Sequence, residues 1–304
     1  MLLIFEQILN GVQYGVMLFL LAAGLTLIFG IMQVINLAHG SLYMVGAYAG
    51  TWFAQETGSF WLGLPAGLLA AALTGVLIEV IVVRRLYDRD HLEQVLATFA
   101  LILIFNQLVI MIFGRQPFFV AMPEGLQESI QLLPGLQYPP YRLLIIAAGL
   151  GVAVGLYFLI TKTRIGMLVR AGATDREMVR ALGVNVRLLY TVIFGFGALL
   201  AGLAGYLAGP IFAVQVGMGE QILLTTFVVV VIGGVGSIRG AFVAGLILGV
   251  LDTCLRAFLP GILRLVMAGP DADALGAGIA AMGIYLLMAI VLLIRPQGLF
   301  PAAH

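Results

Sequence analysis

From Gln7 to Gln55 the chain carries no Asp, Glu, Lys or Arg, an uncharged run of 49 residues. A transmembrane helix needs only about 20 predominantly apolar residues, so this stretch is long enough for two crossings. The rest of the 304-residue sequence agrees, with 62% hydrophobic and 10% charged residues, against roughly 25% charged in soluble domains. Too little polar surface is available to coat a water-facing globule, and the same figures exclude a disordered chain. The 15 basic and 14 acidic residues nearly cancel, so no bulk field recruits nucleic acid. The single cysteine, Cys254, excludes a disulfide framework and a cysteine-based metal site. No Lys or Arg precedes the first apolar run, which argues against a cleaved signal peptide.

Cutting the sequence at charges and turn clusters predicts spans near 7–32, 37–54, 61–83, 95–113, 143–160, 188–210, 222–236, 241–259 and 275–294. The runs are continuous rather than alternating, which excludes a transmembrane barrel. The expected fold is therefore an all-α polytopic membrane bundle of eight or nine segments, a single transmembrane domain over 1–304. Two spans are open to being broken or re-entrant: 37–54, interrupted by His39 and Gly40, and the short 222–236. Lys162, Arg164, Arg170, Arg176, Arg180 and Arg187 place six of the fifteen basic residues in 161–187. The positive-inside rule puts that segment in the cytoplasm. Parity then puts Arg84, Arg85, Arg89, Arg239 and Arg295 inside and the Pro- and Gln-rich loop 114–142 outside. With nine spans the N-terminus is outside and the C-terminus cytoplasmic.

Within 161–187, Thr174, Asp175, Arg176 and Glu177 precede the apolar Met178, Val179, Ala181 and Leu182. Thr174 and Glu177 stand at the capping-box spacing, and Gly183 follows as a C-cap. The pattern predicts a short amphipathic helix, either lying on the membrane surface or docking into another protein. Acids among its arginines favour docking, because they weaken attraction to anionic headgroups.

Four blocks carry a resemblance to a known family. They are INLAHGSLYMVGAY (35–48), RAGATDREMVRALGVNV (170–186), FVVVVIGGVGSIRGAFVAG (227–245) and the terminal RPQGLF (295–300). In order and spacing they resemble the permeases of ABC importers of the branched-chain amino-acid type, and in particular the LivH-type subunit. One departure is that Glu79 is followed by Val80, where the family commonly has a basic residue. The resemblance implies a permease subunit translocating branched-chain amino acids by alternating access. Its partners would be a second, homologous permease, two cytoplasmic ATPases that bind ATP and Mg, and a periplasmic solute-binding protein, in a bacterial inner membrane. It also implies that the segment with Arg170, Thr174, Asp175, Arg176, Glu177, Arg180 and Gly183 couples to an ATPase. Urea, short-amide and aromatic-acid importers share the same blocks. The sequence contains no phosphate-binding G-x-x-x-x-G-K-[ST], so an ATP engine would lie in another chain and this chain is expected to hold no cofactor.

Glycine occurs 39 times, at small-x-x-x-small spacings such as Gly11/Gly15, Gly46/Gly50 and Gly245/Gly249, which favour close helix packing in lipid. Gly233, Gly234 and Gly236 are candidates to break a helix beside a pathway, since irregular backbone at membrane depth survives only when buried or lining a cavity. Asn36, His39 and Asn106 are the other candidate pathway residues. Asp252 and Arg256 read as an intrahelical ion pair, and Glu79 as an interfacial acid that snorkels beside Arg84. No charge is expected at the midplane. That absence, with no visible repeat between the halves, argues against an ATP-independent secondary transporter or channel. His39, His91 and His304 are too scattered for a metal site, and no nucleophile stands near a base, so no catalytic residues are expected.

Overall fold

A computed structural model of the protein describes residues 2–174 and 176–300, with the side chains of Arg176 and Glu177 outside that description. Among the described residues the helices are α1 (Leu2–Met32), α2 (His39–Thr57), α3 (Phe60–Ile81), α4 (His91–Phe113), α5 (Pro140–Lys162), α6 (Arg164–Thr174), α7 (Arg176–Ala181), α8 (Val186–Ala208), α9 (Met218–Gly233), α10 (Ile238–Leu263) and α11 (Gly269–Ile294). Seven of them, α1, α3, α4, α5, α8, α10 and α11, are long and apolar enough to cross a membrane. The chain is an all-α polytopic membrane protein.

Helices occupy all nine stretches expected from the sequence. The two that fall short of a full apolar span are α2, which is too polar, and α9, at 16 residues. Large apolar side chains point outward on the long helices, as at Leu73, Met111 and Leu293, while Gln13, Thr51, Glu79 and Gln94 are buried. Where lipid is the solvent, this inversion is the expected outcome.

One departure from an all-helical chain is a hairpin in the 114–139 loop. Strands β1 (Ile130–Leu133) and β2 (Leu136–Tyr138) pair antiparallel, with Leu133 opposite Leu136. Pro134 and Gly135 form the turn, with Gly135 at φ +88°, the Pro-Gly arrangement of a type II turn. Leu136 and Tyr138 are buried while β1 is exposed.

The chain forms two compact units, and α1, α5 and α9 contribute to both. The first comprises residues 2–19, 124–150 and 225–300. In it the Gly11/Gly15 face of α1 meets the Gly245/Gly249 face of α10. A Cβ on Gly11 would stand 2.5 Å from Val250 Cα, and one on Gly15 2.5 Å from the Gly245 oxygen. Phe19 packs edge-on against Phe242 at 5.1 Å. Arg256 Nε donates to both carboxylate oxygens of Asp252, at 2.9 and 2.8 Å, the ion pair expected from their spacing.

The second unit comprises residues 20–123 and 151–224. Its core is α2, α3 and α8 in backbone contact: a Cβ on Gly67 would lie 2.6 Å from the Gly46 oxygen, and one on Gly202 2.5 Å from Ala71 Cβ. Helices approach this closely only through glycine and alanine, which is how packing substitutes for the missing hydrophobic force in lipid. Tyr206 closes one end, donating its hydroxyl to the Phe60 carbonyl at 2.6 Å.

Candidate functional site

Two helices of the second unit begin at membrane depth. A Cβ on Gly24 of α1 would lie 2.6 Å from the Gly197 carbonyl of α8 and 3.0 Å from His39 Nε2. Gly197 stands eleven residues from either end of α8, about 16 Å at 1.5 Å per residue. His39, the first residue of α2, is therefore level with the middle of a spanning helix. The first turn of α9 reaches the same place. Gly40 and Gly219 touch backbone to backbone, so that a Cβ on either would overlap the other's carbonyl.

The chain arrives there along two non-helical segments. Residues 33–38 leave α1 through Gln33, whose φ of +53° is the one positive value on a non-glycine among the described residues. Residues 209–217 return from the end of α8, pinned by paired backbone bonds between Phe118 and Val214 at 2.9 and 3.0 Å. The sequence placed an interruption at His39 and Gly40 inside one span. Instead the break precedes His39, and Gly40 is the contact glycine of the new helix.

Asn36 and His39 are completely buried. Among the described residues neither the Asn36 amide nor either His39 nitrogen has a hydrogen-bond partner; the Leu21 backbone lies alongside the ring without a well-formed bond. Buried polar groups are nearly always satisfied, and their concentration at a helix break marks the junction as a site rather than ordinary core. Gln94, 2% exposed, holds the approach in place. Its oxygen accepts from the Ile35 amide at 3.2 Å, and its nitrogen donates to the Leu86 and Arg89 carbonyls, both at 3.1 Å.

Glu220 is a charged residue level with the interior of α4 that the spans expected from the sequence left in a loop. It lies in the first turn of α9, directly after Gly219, and its carboxylate accepts a hydrogen bond from the Asn106 amide of α4. Asn106 is seven residues inside the Phe113 end of α4, about 10 Å. Glu220 is exposed on the surface of the subunit and Asn106 partly so. An acid facing lipid at such depth costs about 3 kcal/mol on insertion scales, so this surface belongs against water or another protein. The sequence hid the residue because the returning loop 209–217 reads as an ordinary outer connection.

Between α5 and α8 the described residues 164–174 and 176–181 are helical on either side of Asp175. The Thr174 hydroxyl donates to the Arg170 carbonyl at 3.0 Å. That is the back-bond to residue i−4 open to any helical Thr; the capping box expected between Thr174 and Glu177 falls on residues outside the description. Asp175 lies outside the described residues, as do the side chains of Arg176 and Glu177. Thr163 caps α6, its hydroxyl accepting from the Gly166 amide at 3.1 Å. Arg170 donates to the Ile160 carbonyl and so ties α6 to the end of α5.

The C-terminal cap of α7 is as expected. Gly183 has φ +85°, its amide donates to Arg180 at 3.0 Å, and Val184 donates to Val179 at 3.3 Å, the paired bonds of a Schellman motif. Arg180, Met178 and Leu182 are exposed, Leu182 at 75%. Asn185 then caps α8, accepting from the Leu188 amide at 3.1 Å. Nothing but the Asn-to-helix spacing announced that second cap.

The first turns of α8 are locked to α3. Glu79 is fully buried, with Arg84 donating to both its oxygens at 3.2 and 3.0 Å, the Thr191 hydroxyl donating at 2.7 Å, and the Tyr87 hydroxyl completing the shell. The snorkelling expected for Glu79 is replaced by a buried ion pair, because Arg84 and Tyr87 fold back over the end of α3.

In the other unit, α9 ends at Gly233, and Gly234 and Gly236 take positive φ, so the expected break is present. It serves close packing. A Cβ on Gly233 would stand 2.5 Å from the Gly240 carbonyl carbon. The terminal block lies against the same turn, Leu299 and Phe300 donating to the Ile232 and Gly233 carbonyls at 2.8 and 3.0 Å.

The family described as the branched-chain amino acid transport system permease component matches residues 7–293, almost the whole bundle. The chain belongs to that family. Among curated permeases, it is 29% identical to the high-affinity branched-chain amino acid transport system permease protein BraD of Pseudomonas aeruginosa, over 97% of this chain and 94% of that protein. It is 27% identical to LivH of Escherichia coli K12, again over 97% and 94%. LivM of the same organism and transport system is 27% identical over 93% of this chain but only 67% of its own length. No solved structure matches the chain. The family is one of transport permeases, so the chain is a multi-pass transport subunit, in keeping with the four sequence blocks.

Proposed function

We propose that this permease is one membrane-spanning subunit of an ATP-binding-cassette importer that moves branched-chain amino acids by alternating access. The observation that carries the reading is the family match over residues 7–293. A second permease is its partner in the membrane; the occurrence of LivH and LivM as separate permease proteins in one organism supports a heterodimer. Two cytoplasmic ATPases bind ATP and Mg and supply the energy, and a periplasmic binding protein delivers the solute. All nine long or half-length helices lie within the bilayer of the inner membrane. In this topology 161–187 and the C-terminus are cytoplasmic, and α7 is the coupling helix.

The α6–α7 pair suits that role. Its exposed Met178 and Leu182 stand one turn apart on a helix stopped by Gly183, an apolar knob among arginines. Arg170 and Thr174 are exposed as Met178, Arg180 and Leu182 are, and together with Asp175, Arg176, Glu177 and Gly183 they form the contact to the ATPase. Movement of α7 reaches the bundle through α8 and its Thr191–Glu79 tie to α3. Replacing Met178 and Leu182 together by Asp leaves the subunit in the membrane and separates ATP hydrolysis from uptake in the assembled transporter. Unaltered leucine uptake by that double variant refutes the docking role.

A further inference from the structure

We propose that Glu220, held by Asn106, is a subsite for the ammonium group of the solute as it passes through the membrane. The inference rests on the reading of the chain as an amino-acid permease and gives that reading a residue. Three observations carry it. The carboxylate lies at membrane depth, adjoining the backbone contact of Gly40 with Gly219. It is exposed on the subunit surface, where a lipid-facing acid is disfavoured and a pathway-facing one is expected. Its partner, the Asn106 amide, is neutral and no Lys or Arg pairs with it among the described residues, so its charge is left for a cation from elsewhere.

The surroundings add a second half to the site. Leu224 stands four residues after Glu220 on α9, and Leu103 three before Asn106 on α4, spacings that put each on the same face as its polar neighbour. They are 62% and 56% exposed. A carboxylate and amide flanked by two exposed leucines fit a solute with an ammonium group and an aliphatic body. The same arrangement repels aromatic acids, whose charge is negative and unaccompanied, and offers urea no charge to match.

The experiment uses the complete transporter reconstituted in proteoliposomes with its binding protein saturated by leucine, and the Cys254→Ser background for labelling. Glu220→Gln lowers the maximal rate of leucine uptake roughly tenfold or more while the permease pair still co-purifies, and Glu220→Asp recovers a substantial part of the rate. In Glu220→Cys the thiol reacts with both a cationic and an anionic methanethiosulfonate reagent, and leucine slows the reaction. Uptake by Glu220→Gln at the parent rate overturns the proposal. So does loss of the permease pair in that variant, which would assign the carboxylate to the partner subunit, and so does a Glu220→Cys thiol inert to both reagents, which would assign it to lipid. If the parent transporter itself imports no leucine, the importer reading fails, and the labelling alone then decides whether position 220 faces an aqueous path.

Discussion

Replacing Glu79 by Gln keeps its volume and removes its charge, which isolates the worth of the buried cluster between α3 and α8. The carboxylate is 0% exposed and its partner Arg84 33% exposed. Removing one member of a fully buried pair costs about 3–5 kcal/mol. Solvent reaches a third of Arg84 and recovers part of this, so the expected loss is about 2 kcal/mol. Burial and the hydrogen bond to Glu79 hold the Tyr87 phenol well above its usual titration range, so Tyr87 remains a donor and Gln can still accept from it. Glu79→Ala strands Arg84, Tyr87 and Thr191 together and leaves a cavity, for about 4 kcal/mol. Unfolding by SDS titration in micelles measures both. A double-mutant cycle with Thr191→Val isolates the link to α8, expected at about 1 kcal/mol. A Glu79→Gln variant within about 0.5 kcal/mol of the parent, or a cycle that closes at zero, refutes the claim that this acid fastens α8 to α3.

Other substitutions test other parts of the account. Gly24→Ala pushes a methyl group to 2.6 Å from the Gly197 oxygen and lowers the melting temperature in detergent, whereas Gly151→Ala, with nothing within 4 Å, leaves it unchanged. Gly183→Ala strains a residue at φ +85° by about 1–2 kcal/mol; hydrogen exchange across 178–184 accelerates roughly tenfold, and Gly183→Asn accelerates it less. Gln94→Leu leaves the Ile35 amide without its acceptor and makes a cysteine introduced at position 35 react faster with a small thiol reagent.

The positions of the long apolar helices were legible because an uncharged run of about 20 residues has few alternatives in a chain with this little charge. The C-cap at Gly183 and the Asp252–Arg256 pair were legible because both are local. What escaped depends on contacts distant in sequence. Glu220 sits among loop-like residues, and only the pairing of Phe118 with Val214 and the contact of Gly40 with Gly219 carry it to membrane depth. Glu79 reads as an interfacial acid until Thr191, 112 positions away, is seen to bond it. The Gly233–Gly236 turn was correctly placed, but its occupant, the terminal block 295–300, could be identified only in three dimensions.

In the importer proposed above, this subunit transports only as part of an ATP-driven assembly. The most direct measurement is uptake of radiolabelled leucine into proteoliposomes holding this chain with its partner permease, ATPases and binding protein, with ATP supplied on the ATPase side. Uptake is expected to require ATP, the binding protein and every subunit together. Leucine uptake by this chain alone, without ATP, would contradict it.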